Sequence, residues 1–263
     1  MQQSINPSKW YDRIWAAFIF FTRLPFWRLY QPNKEAYQTV VEHWPLVGWL
    51  TGSAMAAVLY FGTFVFPYEV AILLAIITRL LITGALHEDG LADFIDGFGG
   101  GGTDRQRILD IMKDSHIGTY GVLSLILYFL LLFSILYSMV PSDAALLIIV
   151  ADPYAKMLTA QLIQMMPYAR TEETAKSHTV YRKFDIKAGI SLTIQGLMPI
   201  AAYIYIMYAR VDWQMLVFVP AIALYFLYLL IWKRLRGYTG DCCGAVYLLV
   251  ELTILLVSLI AVR

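Results

Sequence analysis

The chain has 263 residues, 59% of them hydrophobic and only 15% charged, against roughly 45–50% and 25% in an average soluble domain. A mean hydropathy of +0.62 cannot be enclosed in one globule of this length, because too much area would still face solvent. The net charge of +1 excludes the basic face that a nucleic-acid binder needs. Two adjacent cysteines, Cys242 and Cys243, exclude a disulfide framework.

Taken in chain order, the polar stretch from Met1 to Trp10 predicts no cleavable signal segment. The stretch from Trp10 to Pro25 is apolar but interrupted by Asp12, Arg13 and Arg23. It predicts an interfacial or re-entrant helix, with Trp10, Tyr11, Trp15 and Trp27 at headgroup depth; a full span is the alternative. Seven later stretches approach the ~20 apolar residues that a spanning helix requires: 44–66, 70–86, 118–140, 143–166, 188–209, 213–232 and 244–262. The second is short, and Pro67-Tyr68-Glu69 predicts a tight hairpin joining it to the first. The expected fold is therefore all-α: a polytopic membrane helical bundle of about seven transmembrane helices in one domain, 1–263, with an acidic, glycine-rich catalytic segment at 87–117.

Seven spans place four basic segments on one side: the first 42 residues, 87–117, 167–187 and the Lys233–Arg236 cluster. Together they hold sixteen of the twenty Lys and Arg residues. The positive-inside rule puts that side in the cytoplasm.

Seven of the nineteen acidic residues lie between 88 and 114. If the preceding helix continues, Asp89, Asp93 and Asp96 stand at i, i+4 and i+7 and share one face, with Glu88 beside them. Asp110 and Asp114 form a second i, i+4 pair. Two such carboxylates ~6 Å apart repel by about 3 kcal/mol at an effective dielectric of 20, so a cation is expected between them. Oxygen-only ligands point to Mg²⁺, with Mn²⁺ possible, rather than Zn²⁺. A solvated acidic loop is the alternative, but interleaved Leu91, Phe94 and Ile95 argue for a buried edge.

The glycines from Gly97 to Gly102, Gly99 and Gly100 among them, suit a backbone cradle for an anion; a flexible linker suits them equally. Arg105, Arg107 and Lys113 follow, cations of the kind a metal–phosphate complex uses. At membrane depth stand Arg79, Asp152, Lys156 and Glu251, where charge is functional or paired. Asp152 and Lys156, at i, i+4, suit a structural ion pair at least as well as a catalytic role. Asp241 marks a helix entrance, with Glu251 deeper on the same helix. The basic segment from Arg170 to Lys187, with Tyr168, His178 and Tyr181, suits either an anionic substrate or a lipid surface.

The run Leu86-His87-Glu88-Asp89-Gly90-Leu91-Ala92-Asp93, then Asp96-Gly97, then Ile111-Met112-Lys113-Asp114-Ser115-His116-Ile117-Gly118-Thr119-Tyr120-Gly121 resembles the signature of the cobalamin synthase family, the adenosylcobinamide-GDP ribazoletransferases. Phe21-Thr22-Arg23-Leu24-Pro25, Trp44-Pro45-Leu46-Val47-Gly48 and Gly240-Asp241 with Gly244-Ala245 and Glu251 extend the likeness over essentially the whole chain. His116 departs from it, standing where an Arg is usual.

The resemblance implies an integral enzyme of a bacterial cytoplasmic (inner) membrane. It would join adenosylcobinamide-GDP to α-ribazole or its 5′-phosphate with Mg²⁺ and release GMP. It further implies Glu88, Asp89, Asp93 and Asp96 as metal ligands, Asp89, Asp93, Asp110 and Asp114 as catalytic carboxylates, and His87, Gly99, Gly100, Arg105, Arg107, Lys113, Asp241 and Glu251 as substrate contacts. Partners would be those two substrates, the bilayer, and a second copy or other enzymes of the same assembly, with no nucleic acid. Three rivals remain. CDP-alcohol phosphotransferases share the acidic spacing but carry an Ala-Arg pair that this chain lacks. An intramembrane prenyltransferase shares the Asp-rich chemistry. A divalent-cation transporter would place its acids nearer the bilayer midplane.

Overall fold

The computed structural model describes residues 9–170, 181–208 and 210–261. Among these are ten α-helices and no β-strand. Helix α1, Trp10–Phe21, has twelve residues, about 18 Å at the helical rise, and is too short to cross the hydrocarbon core of ~30 Å. Its Asp12 is buried yet satisfied: the carboxylate accepts from the Lys9 backbone N–H at 2.8 Å and the Tyr30 hydroxyl at 2.5 Å.

Short 3₁₀ turns lead to α2, Trp44–Gly62, which forms the expected hairpin with α3, Tyr68–Thr83. Helix α3 ends earlier than the apolar run does. Gly84 and Ala85 both adopt left-handed backbone, with φ of 65° and 56°, and the chain turns through 89° into α4, Leu86–Gly100. At Gly84 a Cβ would lie 2.4 Å from Nε of Arg23, so Arg23, two residues beyond α1, packs directly on this elbow.

Helices α5 (Arg105–Lys113), α6 (Thr119–Tyr137), α7 (Pro141–Met165), α8 (Ile186–Ile206), α9 (Trp213–Leu235) and α10 (Gly240–Ala261) complete the bundle. Among the described residues six helices are long and apolar enough to cross a membrane, the first counted with its 3₁₀ lead-in, and seven if α3 and α4 make one broken span. The chain is a polytopic helical membrane protein. Outward residues such as Leu127, Ile190 and Phe226 are exposed apolar side chains, as lipid contact requires.

The interior is organised on α7, where Asp152 and Lys156 form an i, i+4 ion pair. Thr51 donates to the second Asp152 oxygen at 2.5 Å, and the Lys156 ammonium lies 4.0 Å over the Tyr247 ring. Paired charge of this kind is what a low-dielectric interior tolerates.

The segment 87–117 is two packed helices rather than a loop. Helix α4 buries His87, Leu91 and Phe94 and crosses α10 at a pair of glycines. A Cβ on Gly90 would stand 3.1 Å from the Asp241 carbonyl, and one on Gly244 3.2 Å from the His87 carbonyl. Small residues at this crossing let the two backbones touch.

Candidate active site

That crossing brings the N-termini of α4 and α10 to one cavity of about 150 Å³. Unpaired N–H groups at a helix start, together with the aligned peptide dipoles, favour anions; here two such starts meet. Leu86, His87 and Asp89 come from the first turn of α4, and Gly240, Asp241, Cys243 and Gly244 from that of α10. Opposite them stand Phe20 and Phe21 of α1, Val41, and Trp44 at the start of α2. Tyr168, Arg170 and Tyr181, from the segment between α7 and α8, close the remaining side.

The cavity wall is built of flat rings. Phe21 and Trp44 stack with centroids 5.1 Å apart at 13°, Trp44 and His87 at 5.9 Å and 22°, and Tyr247 meets the His87 ring edge-on at 4.7 Å. Trp44 Nε1, His87 Nε2 and Glu88 Oε2 are buried without a hydrogen-bond partner among the described residues. Burial pushes the Tyr168 hydroxyl up to about 12 and the Tyr181 hydroxyl well above the ordinary tyrosine value, so both remain protonated donors at neutral pH.

Backbone pairing fixes the segment that carries Tyr168. Ala169 donates to Tyr238 at 2.8 Å and Tyr238 to Pro167 at 3.0 Å. Arg105 adds to this, donating from Nε to the Leu235 carbonyl at 2.8 Å and from Nη2 to the Ala169 carbonyl at 2.6 Å. Arg170 returns the tie, with Nη2 donating to the Leu109 carbonyl at 2.9 Å. Arg105, expected at substrate, thus braces the cavity wall from α5.

Of the residues anticipated from sequence, His87, Asp89 and Asp241 line the cavity together. Asp93, one turn along α4, is half-buried on the same face as Asp89. Asp96 shares that face but serves another helix: its carboxylate accepts the Gly118 N–H at 2.7 Å and the Gly121 N–H at 2.8 Å at the start of α6. Glu88 is buried, one residue and therefore about 100° around the helix from Asp89. Glu251 lies in the interior, both of its oxygens accepting from Arg79 Nη1 at 2.7 Å.

Asp110 and Asp114 are exposed on or just beyond α5, away from the cavity lining. Asp110 accepts from the Gln106 side chain at 2.9 Å. Asp114 accepts from the His116 backbone at 3.0 Å and approaches His116 Nδ1 at 2.7 Å; the hydrogen bond with the His116 side chain, first among the causes, holds its carboxyl below the usual carboxylate value. Arg107 and Lys113 are exposed on α5.

Most of the glycine run is helix, and only Gly101 and Gly102 lie in the turn that follows it. Gly97 to Gly100 continue α4, and a Cβ on Gly99 would lie 2.8 Å from the Tyr120 ring, on Gly97 2.5 Å from Met112. The run serves close packing of α4 against α5 and α6. His178 falls outside the described residues. The lining residues that sequence reasoning missed are Phe20, Val41, Thr239 and Cys243; nothing in their local pattern says that a short N-terminal helix shares a cavity with the start of α10.

Among the described residues no three His, Cys, Asp or Glu side chains converge as a ready-made metal cage. The cavity lining includes the Asp89 and Asp241 carboxylates, and Mg²⁺ is commonly held by one or two of these plus substrate phosphates and water. The donor set therefore fits Mg²⁺ carried on a diphosphate and does not fit a closed structural zinc site.

The family model for cobalamin-5-phosphate synthase matches residues 13–259. The chain is 38% identical to the adenosylcobinamide-GDP ribazoletransferase of Vibrio vulnificus (strain YJ016), over 96% of this chain and 97% of the relative. It is 37% identical to that of Vibrio parahaemolyticus, over 91% and 89%, and 31% identical to that of Leptospira interrogans, over 89% of each. No solved structure matches the chain. With a match running from α1 almost to the end of α10, the chain belongs to the cobalamin-5-phosphate synthase family.

Proposed function

We propose that the chain is a membrane-embedded transferase that moves the phosphocobinamide group of adenosylcobinamide-GDP onto α-ribazole or its 5′-phosphate, giving adenosylcobalamin or its 5′-phosphate and releasing GMP. Family membership and the names of the relatives support the substrates. The single observation that supports the site is the meeting of the α4 and α10 N-termini at one cavity that also holds Asp89 and Asp241.

In this reading the diphosphate settles across the two helix starts, where backbone N–H groups and both dipoles offset its charge. Asp89, Asp93 and Asp241 are the residues that would hold Mg²⁺ there. When bound, the ion neutralises charge on the diphosphate and orients it. Arg170 and Tyr168 line the same cavity.

A ribose hydroxyl of α-ribazole attacks the phosphorus that bears the cobinamide side chain. A new O–P bond forms, the P–O bond to GMP breaks, and GMP leaves with the bonding pair. The hydroxyl proton passes to an Asp89 carboxylate oxygen. Asp89 suits that role because it is exposed on the cavity. The surrounding rings exclude water, which would otherwise compete as nucleophile.

The clustering of Lys and Arg on one side supports a reading in which the mouth of this site faces the cytoplasm from a bacterial inner membrane. The test is ³¹P NMR on purified protein in liposomes. GMP is expected only when Mg²⁺ and both organic substrates are present, with loss on adding EDTA and recovery on adding Mg²⁺. GMP formed without α-ribazole, or turnover indifferent to chelation, contradicts the reading.

A further inference from the structure

One arginine that stands outside the cavity is placed to govern one that lines it. We propose, resting on the transferase reading above, that Arg105 is a positioning residue of the transfer: through the Ala169 carbonyl it sets where Arg170 stands to receive the diphosphate of adenosylcobinamide-GDP.

Among the described lining residues Arg170 is the one lysine or arginine, and a guanidinium pairs with phosphate through charge-assisted hydrogen bonds. Its backbone belongs to the segment that pairs with Tyr238. Gly237 lets that segment and the turn before α10 touch, since a Cβ there would stand 2.6 Å from the Pro167 carbonyl and 3.1 Å from the Ala169 backbone. Tyr168 packs edge-on against Tyr238, ring centroids 5.3 Å apart. These contacts fix the chain as far as Ala169.

Arg105 holds the next link. The carbonyl it grips at 2.6 Å belongs to the peptide group that joins Ala169 to Arg170, so its hold orients the backbone from which the Arg170 side chain departs. The same guanidinium reaches the Leu235 carbonyl at the end of α9, and Arg170 closes the ring on Leu109, one turn along α5 from Arg105. Arg105 is itself aimed: the Asp104 side chain caps α5, accepting from the Gln106 and Arg107 backbone N–H groups at 2.8 and 3.3 Å. It is exposed and does not line the cavity, so its effect on the reaction passes through Arg170. A lysine could not replace it, because one compact ammonium lacks the planar fork that spans carbonyls on two segments.

The experiment uses the full chain in detergent and four variants: Arg105→Met, Arg105→Lys, Arg170→Met and Arg105→Met with Arg170→Met. Kd for adenosylcobinamide-GDP is measured by equilibrium dialysis, KM and kcat for both substrates in turnover, and amide hydrogen exchange at Ala169 and Tyr238 by mass spectrometry. A residue that only stabilises the fold lowers the active fraction, and so the apparent kcat, with KM unchanged. Positioning predicts that Arg105→Met raises Kd and KM for adenosylcobinamide-GDP about tenfold, the scale of one lost hydrogen bond, and KM for α-ribazole less than about twofold. Exchange at Ala169 and Tyr238 quickens. Arg105→Lys, which keeps the charge, behaves like Arg105→Met, and Arg105→Met adds nothing further once Arg170 is Met.

Unchanged Kd and KM in Arg105→Met, full recovery in Arg105→Lys, or an effect that adds to that of Arg170→Met overturns the proposal. Dialysis and exchange need no turnover. A wild-type chain that binds adenosylcobinamide-GDP in this Arg105-dependent way yet never releases GMP contradicts the transferase reading and leaves the brace standing.

Discussion

Arg79 and Glu251 meet across 172 residues of sequence, with Nη1 of the arginine 2.7 Å from each carboxylate oxygen. The same guanidinium donates from Nη2 to the Tyr128 hydroxyl at 2.8 Å. One buried cluster therefore fastens α3, α6 and α10 beneath the elbow from which α4 departs. Glu251 was expected at substrate; its position makes it a strut for the helices that carry the site.

Removing one partner leaves the other charge buried and uncompensated, at a cost of about 3–5 kcal/mol. Arg79→Met and Glu251→Leu should each lower the melting temperature in detergent sharply, and the double replacement should recover part of the loss. A double variant less stable than the sum of the two would rule out the pairing.

Asp96 is held by two backbone N–H groups at the start of α6. Hydrogen bonds to a charged group contribute about 1.5–3 kcal/mol, so Asp96→Ala should lose about that much stability and Asp96→Asn, which keeps one acceptor oxygen, less. The loss should be the same with and without Mg²⁺. A stability difference seen only with Mg²⁺ would mean that this carboxylate serves the cation instead.

The elbow depends on left-handed backbone at Gly84, which a Cβ strains while colliding with Arg23. Gly84→Ala should destabilise by more than about 1 kcal/mol and lower turnover, since the turn aims the first turn of α4 at the cavity. Wild-type melting behaviour and activity in this variant would show that the elbow is unstrained.

Tyr168 offers a pH test. Its hydroxyl is raised from 10.0 to about 12 by burial. A group whose folded value is raised contributes stability in full below the unfolded value, and that contribution is lost as pH rises through the folded one. Unfolding should therefore become easier between about pH 10 and 12, and Tyr168→Phe should flatten part of that decline. An unchanged profile in the variant would place the alkaline loss elsewhere.

The bundle was legible because lipid demands long apolar helices, and that demand is written locally in the sequence. The early end of α3 was not: the apolar run continues to Leu86, and Ala85 carries no mark of a left-handed residue. The shared face of Asp89, Asp93 and Asp96 could be read from spacing. What separates Asp96 from the other two is its contact with Gly118 and Gly121, more than twenty residues on. The glycines after Asp96 read as a loop because composition cannot tell a flexible backbone from one pressed against Tyr120 and Met112. The aromatic wall was hidden for a similar reason, since Phe20 and Phe21 share the cavity with the start of α10 only in the folded bundle.

The most direct measurement is GMP release by Asp89→Asn in liposomes with Mg²⁺ and both substrates, alongside Asp114→Asn and the melting temperature of each. The account predicts that Asp89→Asn folds normally and loses turnover by at least a hundredfold, the scale of a positioned base, while Asp114→Asn keeps most of it. Near wild-type release by a folded Asp89→Asn would contradict the placement of the chemistry at the α4–α10 crossing.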